Sequence, residues 1–422
     1  MNRAKANKTR IDPQYLVSPD KHSILKRDID SNAIAVVERL THAGYEAYLV
    51  GGAIRDLLMK QTPKDFDIAT NATPQQIKKL FRQARIIGRR FKLVHIPFQR
   101  DIIEVSTFRS HEPINTNIQT NDQGMLIEDN VYGTLEQDAW RRDFTANSLY
   151  YQVETGAIID FTQGFRDIQQ KRMCIIGEPN TRYHEDPVRM LRAVRFCAKL
   201  NFTIAPDTAA PITNLNHLLT HVSGSRLFDE MIKLYQSGHA YKVQKLLDQY
   251  GLFQQLFPMN AVLPKHYPMQ VFLDLALEST DARVKARKPV NPAFLFAVIL
   301  WFPMQVRAKI LQKSGIDPMP ALDQAYSQVI SEQNKIIMIP KRHAQVIRDI
   351  WYLQTQFAKR SSSKVYHLFQ HPRFRAAYDF FVLRALAHEE SLDLAKWWTT
   401  FQEVDEQTQT QMIADVTPEK KK

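Results

Sequence analysis

The sequence predicts an α+β protein, a small mixed-sheet head followed by an all-helical neck and body. Three observations predict it. Up to about residue 165, short apolar runs with strand character alternate with helix-periodic segments, the pattern of a sheet packed against helices. Beyond residue 180 the strand signals fade, and segments 187–200, 226–247, 292–301 and 374–389 carry apolar residues at helical spacing, interrupted by Pro258, Pro264, Pro303, Pro318 and Pro340. Finally, residues 48–67 read as a strand, a double-glycine turn at Gly51-Gly52, a helix, and a second strand carrying Asp65 and Asp67.

The elements follow in order. Residues 1–30 form a polar, basic N-terminal arm with Arg3, Lys5, Lys8 and Arg10, expected to be flexible. The head, 31–165, opens with a helix over Asn32 to Ala43, a strand over Ala47 to Val50, a helix over Ala53 to Met59 and a strand over Asp65 to Ala69. Thr73 caps a further helix that starts at Pro74 and runs to Phe81. Two extended stretches follow, Phe91 to Phe98 and Asp101 to Phe108, and then an aperiodic polar loop over 111–130. The neck is expected over 166–260, the helical body over 261–402 and a frayed, polar, basic tail over 403–422.

Composition narrows the function classes. The 422 residues can bury more than one core. A net charge of +12 favours a polyanionic partner, without separating RNA from DNA or an anionic surface. Cys174 and Cys197 sit in apolar surroundings and read as reduced core thiols, and with no matching Cys/His set they argue against a zinc site. The N-terminus lacks the apolar segment of a signal peptide, and the longest apolar run, Ala293 to Phe302, is too short to span a bilayer. A cytoplasmic protein with no membrane partner is the expectation.

The chemistry concentrates in the head. Residues i and i+2 of a strand share a face, so Asp65 and Asp67 would stand about 7 Å apart at their Cα atoms, an arrangement that suits Mg²⁺. The alternative is a solvated acidic pair in a turn. Glu104, flanked by Ile103 and Val105, supplies a third carboxylate if its strand neighbours the first; otherwise it is an exposed position on a half-buried strand. The Gly51-Gly52 turn lets backbone approach a polyphosphate closely. Together these features point to nucleotidyl transfer.

Arg141-Arg142-Asp143 puts two guanidinium groups beside a carboxylate, either to hold phosphate bidentately or as a surface ion-pair run. Asp186-Pro187 starts a helix on which Arg189, Arg192 and Arg195 recur every third residue, while Val188, Leu191 and Val194 hold the opposite side in a core. That stripe is either solvated or, with Asp186 as acceptor and Arg189 as donor, a reader of a nucleobase edge. His95 and His184 stand alone and read as structural, and the aromatics Tyr378, Phe380, Phe381, Trp397 and Trp398 read as core, with base stacking left open by Arg373, Arg375 and Arg384.

Four motifs occur in one register: Leu49 to Asp56, Lys64 to Asp67, Arg141 to Thr145, and Glu185 to Arg192. In that order and approximate spacing the chain resembles the class II nucleotidyltransferases, the superfamily of bacterial poly(A) polymerases and tRNA CCA-adding enzymes. Arg226 to Glu230, Val290 to Phe296, His371 to Asp379 and Lys396 to Trp398 extend the likeness to the helical body of the polymerases, over roughly residues 18–402. The resemblance implies Mg²⁺ on Asp65 and Asp67 with Glu104 as third carboxylate, and Asp143 among the catalytic acids. It implies ATP as substrate, with Gly51, Gly52, Arg55 and Arg142 at the triphosphate and Asp186, Arg189 and Arg192 at the adenine. The implied reaction is template-independent addition of AMP to RNA 3′ ends by a monomer, serving RNA processing and decay alongside the RNA-decay machinery, with the RNA end entering between head and helical domains. The tail departs from the pattern in being shorter and less arginine-rich. CCA addition to tRNA is the rival activity, and a non-enzymatic RNA-binding adaptor is the rival of another class.

Overall fold

A computed structural model describes residues 11–88, 92–99, 101–110 and 131–416. The chain divides into two compact units, Met1–Leu215 and Asn216–Lys422. The α+β expectation holds: the first carries an eight-stranded mixed sheet, and the second is helical.

The sheet strands are β1 (Leu16–Val17), β2 (Ala47–Val50), β3 (Asp67–Thr70), β4 (Arg85–Ile87), β5 (Leu93–Phe98), β6 (Asp101–Thr107), β7 (Leu149–Tyr151) and β8 (Ile158–Asp160). Their spatial order is β1-β8-β7-β2-β3-β6-β5-β4, antiparallel throughout except for the parallel pair β3 and β6. All four residues of β2 are buried, so this central strand reads as a continuous apolar run. The helices of this unit used below are α1 (Ser31–His42), α2 (Gly52–Leu58), α3 (Pro74–Leu80), α4 (Leu135–Arg141), α5 (Gly164–Gln169), α6 (Pro179–Glu185) and α7 (Val188–Leu200). Thr73 caps α3 as its sequence predicts, exchanging hydrogen bonds with Gln76, and Pro74 opens the first turn.

Three expectations are corrected. The strand expected from Asp65 starts at Asp67, because its antiparallel ladder with β2 ends at the Val50 and Asp67 pair, after which Gly51 turns the partner chain away. From residue 11 the arm is part of the head: β1 pairs with β8, and Ile24 and Ile29 are buried; residues 1–10 lie outside the described residues. In the tail, Glu406–Val416 form a helix, held by buried Ile413 in the cluster of Trp398 and Phe401 and by Gln409, whose amide donates to the Phe401 carbonyl at 2.8 Å. The polar loop over 111–130 and the final lysines lie outside the described residues.

In the second unit the helix Pro292–Lys313 runs through Pro303 and is long and apolar enough to cross a membrane by length and composition, yet Leu295 to Met304 are buried inside this unit. Tyr378, Phe380, Phe381 and Trp398 are core, as their spacing suggests. Trp397 is only partly buried and carries the Arg360 guanidinium 5.5 Å from its ring centroid.

One glycine fixes the placement of the Arg142–Asn147 turn. A Cβ on Gly164 would stand 2.1 Å from the Thr145 carbonyl oxygen, a backbone atom that cannot swing aside. Gly164→Ala is therefore expected to destabilise the first unit by about 3 kcal/mol, measurable as a lowered Tm; an unchanged Tm would contradict this packing.

Candidate active site

The site is built where β2 ends and β3 begins, beside the middle of β6. Asp67 is the first residue of β3, and the parallel register sets it directly opposite Glu104 on β6. Antiparallel pairing sets His95 of β5 opposite Glu104 in turn, with Nε2 3.1 Å from Oε1. Ladder partners point the same way, so Asp67, Glu104 and His95 share one face. Asp65 lies two residues before the strand, its side chain 71% exposed and its carboxylate 3.9 Å from Lys64 Nζ. The structure thus sets Asp67 beside Glu104 and leaves Asp65 exposed, near enough for its charge to act on Asp67.

As a residue Asp67 is open to solvent, but its carboxyl is hemmed in on the sheet side. Burial first, then the Glu104 and Asp65 charges, push it up to about 6, with Arg142 opposing. Among the described residues no three Asp, Glu, His or Cys side chains converge closely enough to hold a metal ion. The donor chemistry nonetheless fits a hard cation: carboxylate oxygens only from Asp65, Asp67 and Glu104, with Asp67 carrying a raised pKa that a neighbouring cation would reverse.

The turn beside β2 carries the cationic half. Gly51 has φ +79° and ψ −132°, a conformation that only glycine adopts without strain, and α2 begins at the next residue. Arg55 on α2 is 3% exposed and hydrogen-bonded to Asp56 at 2.6 and 2.9 Å and to Asn147 Oδ1 at 2.5 Å. Arg142 is the C-cap residue that follows α4, and its Nη1 would lie 3.6 Å from a Cβ at Gly51.

Asp143 belongs to this cationic half. Its Oδ2 accepts from Arg192 at 2.7 and 2.5 Å, and its Oδ1 from the Phe144 N–H at 2.9 Å and Asn147 Nδ2 at 3.3 Å. Burial raises its pKa, but the Arg192 charge and these hydrogen bonds outweigh that and hold the carboxyl below its ordinary range. The expected arginine stripe on α7 divides. Arg189 is buried, donating to Glu185 and to the Arg182 carbonyl at 2.8 and 2.7 Å; Arg192 turns to Asp143; and Arg195 stacks 4.6 Å from the Phe196 centroid. Asp186 lies at the α6–α7 junction and accepts the Val188 N–H at 3.2 Å. The guanidinium groups of Arg55 and Arg192 also lie over Phe196, at 5.3 and 5.4 Å, so three cations surround one ring.

Sequence reasoning missed Asn147 and Phe196, which tie these arginines together, and read His95 as structural although it touches Glu104. Only the cross-strand register reveals the His95 contact. Two carboxylates on one face beside a glycine turn and clustered arginines form an arrangement suited to nucleotidyl transfer.

Comparison with known proteins places the chain further. Residues 47–174 match the family described as poly A polymerase head domain, 201–263 that described as probable RNA and SrmB-binding site of polymerase A, and 314–422 that described as polymerase A arginine-rich C-terminus. Poly(A) polymerase I of Escherichia coli is 46% identical, over 92% of this chain and 86% of its own, and that of Haemophilus influenzae 44% identical, over 97% and 93%. The CCA-adding enzyme of Bacillus subtilis is 37% identical, but over 53% of this chain and 55% of its own. In fold, the Thermotoga maritima CCA-adding enzyme complexed with tRNA superposes with a TM-score of 0.63 over 92% of this chain and 86% of that one, at 18% identity. The chain belongs to the poly(A) polymerase family.

Proposed function

We propose that this protein is a template-independent polymerase that transfers AMP from ATP to the 3′-hydroxyl of RNA and releases pyrophosphate. The observation that carries the reading is the pairing of Asp67 with Glu104 across β3 and β6, within reach of the charge of Arg142, which approaches the Gly51 turn. Likeness over nearly the whole chain to poly(A) polymerase I, against about half for the CCA-adding enzyme, supports polyadenylation over CCA addition.

In this reading Asp65, Asp67 and Glu104 would hold Mg²⁺, which when bound neutralises charge on the triphosphate and activates the attacking hydroxyl. Gly51 and Gly52 keep the turn free of side chains, so that the triphosphate can approach the backbone. Arg55 and Arg142, each fixed by buried partners, supply positive charge there without reorganisation. Asp143 holds Arg192, and Glu185 holds Arg189, so that with Asp186 both enter the adenine pocket with their directions already set. The net charge of +12 suits a polyanionic partner, and the likeness to poly(A) polymerase I supports RNA as that polyanion. We assign the protein to the cytoplasm, as a monomer whose tails feed RNA processing and decay.

The test is release of pyrophosphate from ATP with an RNA primer in the presence of Mg²⁺. Release is expected with a free 3′-hydroxyl and absent with a 3′-deoxy end or with EDTA. Absence under all three conditions would revive a purely RNA-binding role.

A further inference from the structure

A buried network behind Arg142 has been given no part in nucleotide binding. Asp138 on α4 is 5% exposed and Tyr150 on β7 is fully buried. Asp138 Oδ2 accepts from Arg142 Nε at 3.3 Å, from Arg142 Nη2 at 2.9 Å and from the Tyr150 hydroxyl at 2.7 Å. Its Oδ1 accepts the Arg109 backbone N–H at 3.1 Å. The Tyr150 oxygen also accepts from Arg142 Nε at 2.9 Å, and the guanidinium lies 5.2 Å from the Tyr150 ring centroid. Tyr150 itself lies in the buried cluster of Tyr48, Phe108 and Leu135, with the Tyr48 ring edge-on to it at 6.4 Å. Among the described residues, every hydrogen bond of the Arg142 guanidinium therefore falls on its Nε and Nη2 edge. Nη1 makes no hydrogen bond among the described residues and is the nitrogen nearest the Gly51 turn.

Burying a carboxylate, a guanidinium and a phenol costs desolvation that apolar packing of the same volume would avoid. The network does what apolar packing cannot: it removes the rotamer freedom of a long side chain before any ligand arrives. We propose that Asp138 and Tyr150 are positioning residues for nucleoside triphosphate binding, locking Arg142 so that its Nη1 edge is presented over the Gly51 turn to the anionic part of the nucleotide. The inference rests on the reading of Arg142 as a nucleotide contact.

The test uses the full chain with Tyr150→Phe, which removes one hydroxyl, Asp138→Asn, Arg142→Ala and the double variant Tyr150→Phe/Arg142→Ala. KM for ATP, KM for the RNA primer, kcat and Tm are measured for each. Tyr150→Phe and Asp138→Asn are expected to raise KM for ATP by about tenfold, the worth of one charge-assisted hydrogen bond. The primer KM should stay within about twofold and kcat should change less than the ATP KM, the signature of lost uniform binding. In the Arg142→Ala background Tyr150→Phe should add nothing. If Tyr150→Phe leaves KM for ATP unchanged, or lowers Tm alone, while Arg142→Ala raises it, the positioning role is overturned and the nucleotide contact stands. Full additivity in the double variant overturns the positioning role as well. An Arg142→Ala variant with unchanged KM for ATP overturns both.

Discussion

Replacing Asp67 by Asn is expected to lower AMP incorporation by on the order of 10³-fold or more, since it removes a carboxylate from the centre where charge develops on the transferred phosphoryl group. Folding should not suffer. The Asp67 carboxyl is raised to about 6 by burial and by Glu104 and Asp65, so its ionised form opposes the folded state. A carboxyl whose pKa is higher folded than unfolded holds more protons in the native state, and its burden grows as pH rises from about 4 to 6 and stays constant above that. Asp67→Asn should consequently match or exceed the wild-type Tm at pH 7 in EDTA, and the difference should vanish near pH 4. Activity loss accompanied by a lower Tm at pH 7 would mean that Asp67 is a structural residue.

The second large effect is expected at Asp143, where activity and stability fall together. Its carboxylate is 13% exposed, holds Arg192 directly and reaches Arg55 through Asn147, within a cluster of three guanidinium groups around Phe196. Asp143→Ala leaves Arg192 without its counter-ion and Asn147 without its acceptor, a loss of about 3 kcal/mol for a broken, largely buried pair. AMP incorporation should drop by on the order of 10²-fold, because two arginines lose their fixed directions at once. The sign with pH is opposite to that of Asp67: a depressed carboxyl pKa contributes stability above its unfolded value near 3.9, and that contribution disappears as pH falls through the folded value. The Tm difference between Asp143→Ala and wild type should therefore be full at pH 7 and shrink toward pH 3. Equal Tm values at pH 7 would show that Arg192 does not depend on this carboxylate.

These two aspartates illustrate what could be read from sequence. The Gly51-Gly52 turn and α2 were legible because helix periodicity and glycine chemistry are local, whereas Glu104 could be set beside Asp67 only on condition that β6 neighbours β3, as it does. Asp65 departs from that periodicity because the partner strand ends at Val50, a fact about β2 that no spacing around residue 65 contains. The arginine helix was legible as a helix, but the separate fates of Arg189 and Arg192 depend on Glu185 four residues before the first and Asp143 far upstream of the second. Asn147, Asp138 and Tyr150 left no signal of their own, since buried polar partners are chosen by tertiary proximity and carry no period. The expected tail failed for a related reason: a single buried Ile413 and a backbone-capping Gln409 suffice to dock a helix whose average composition is polar.

The most direct test of the central claim is extension of a short RNA primer with each nucleoside triphosphate supplied alone and then with CTP and ATP together. Polyadenylation predicts long ladders from ATP alone and no comparable product from CTP, GTP or UTP. Addition from CTP followed by ATP, halting after three nucleotides, would contradict it and assign the chain to tRNA maturation.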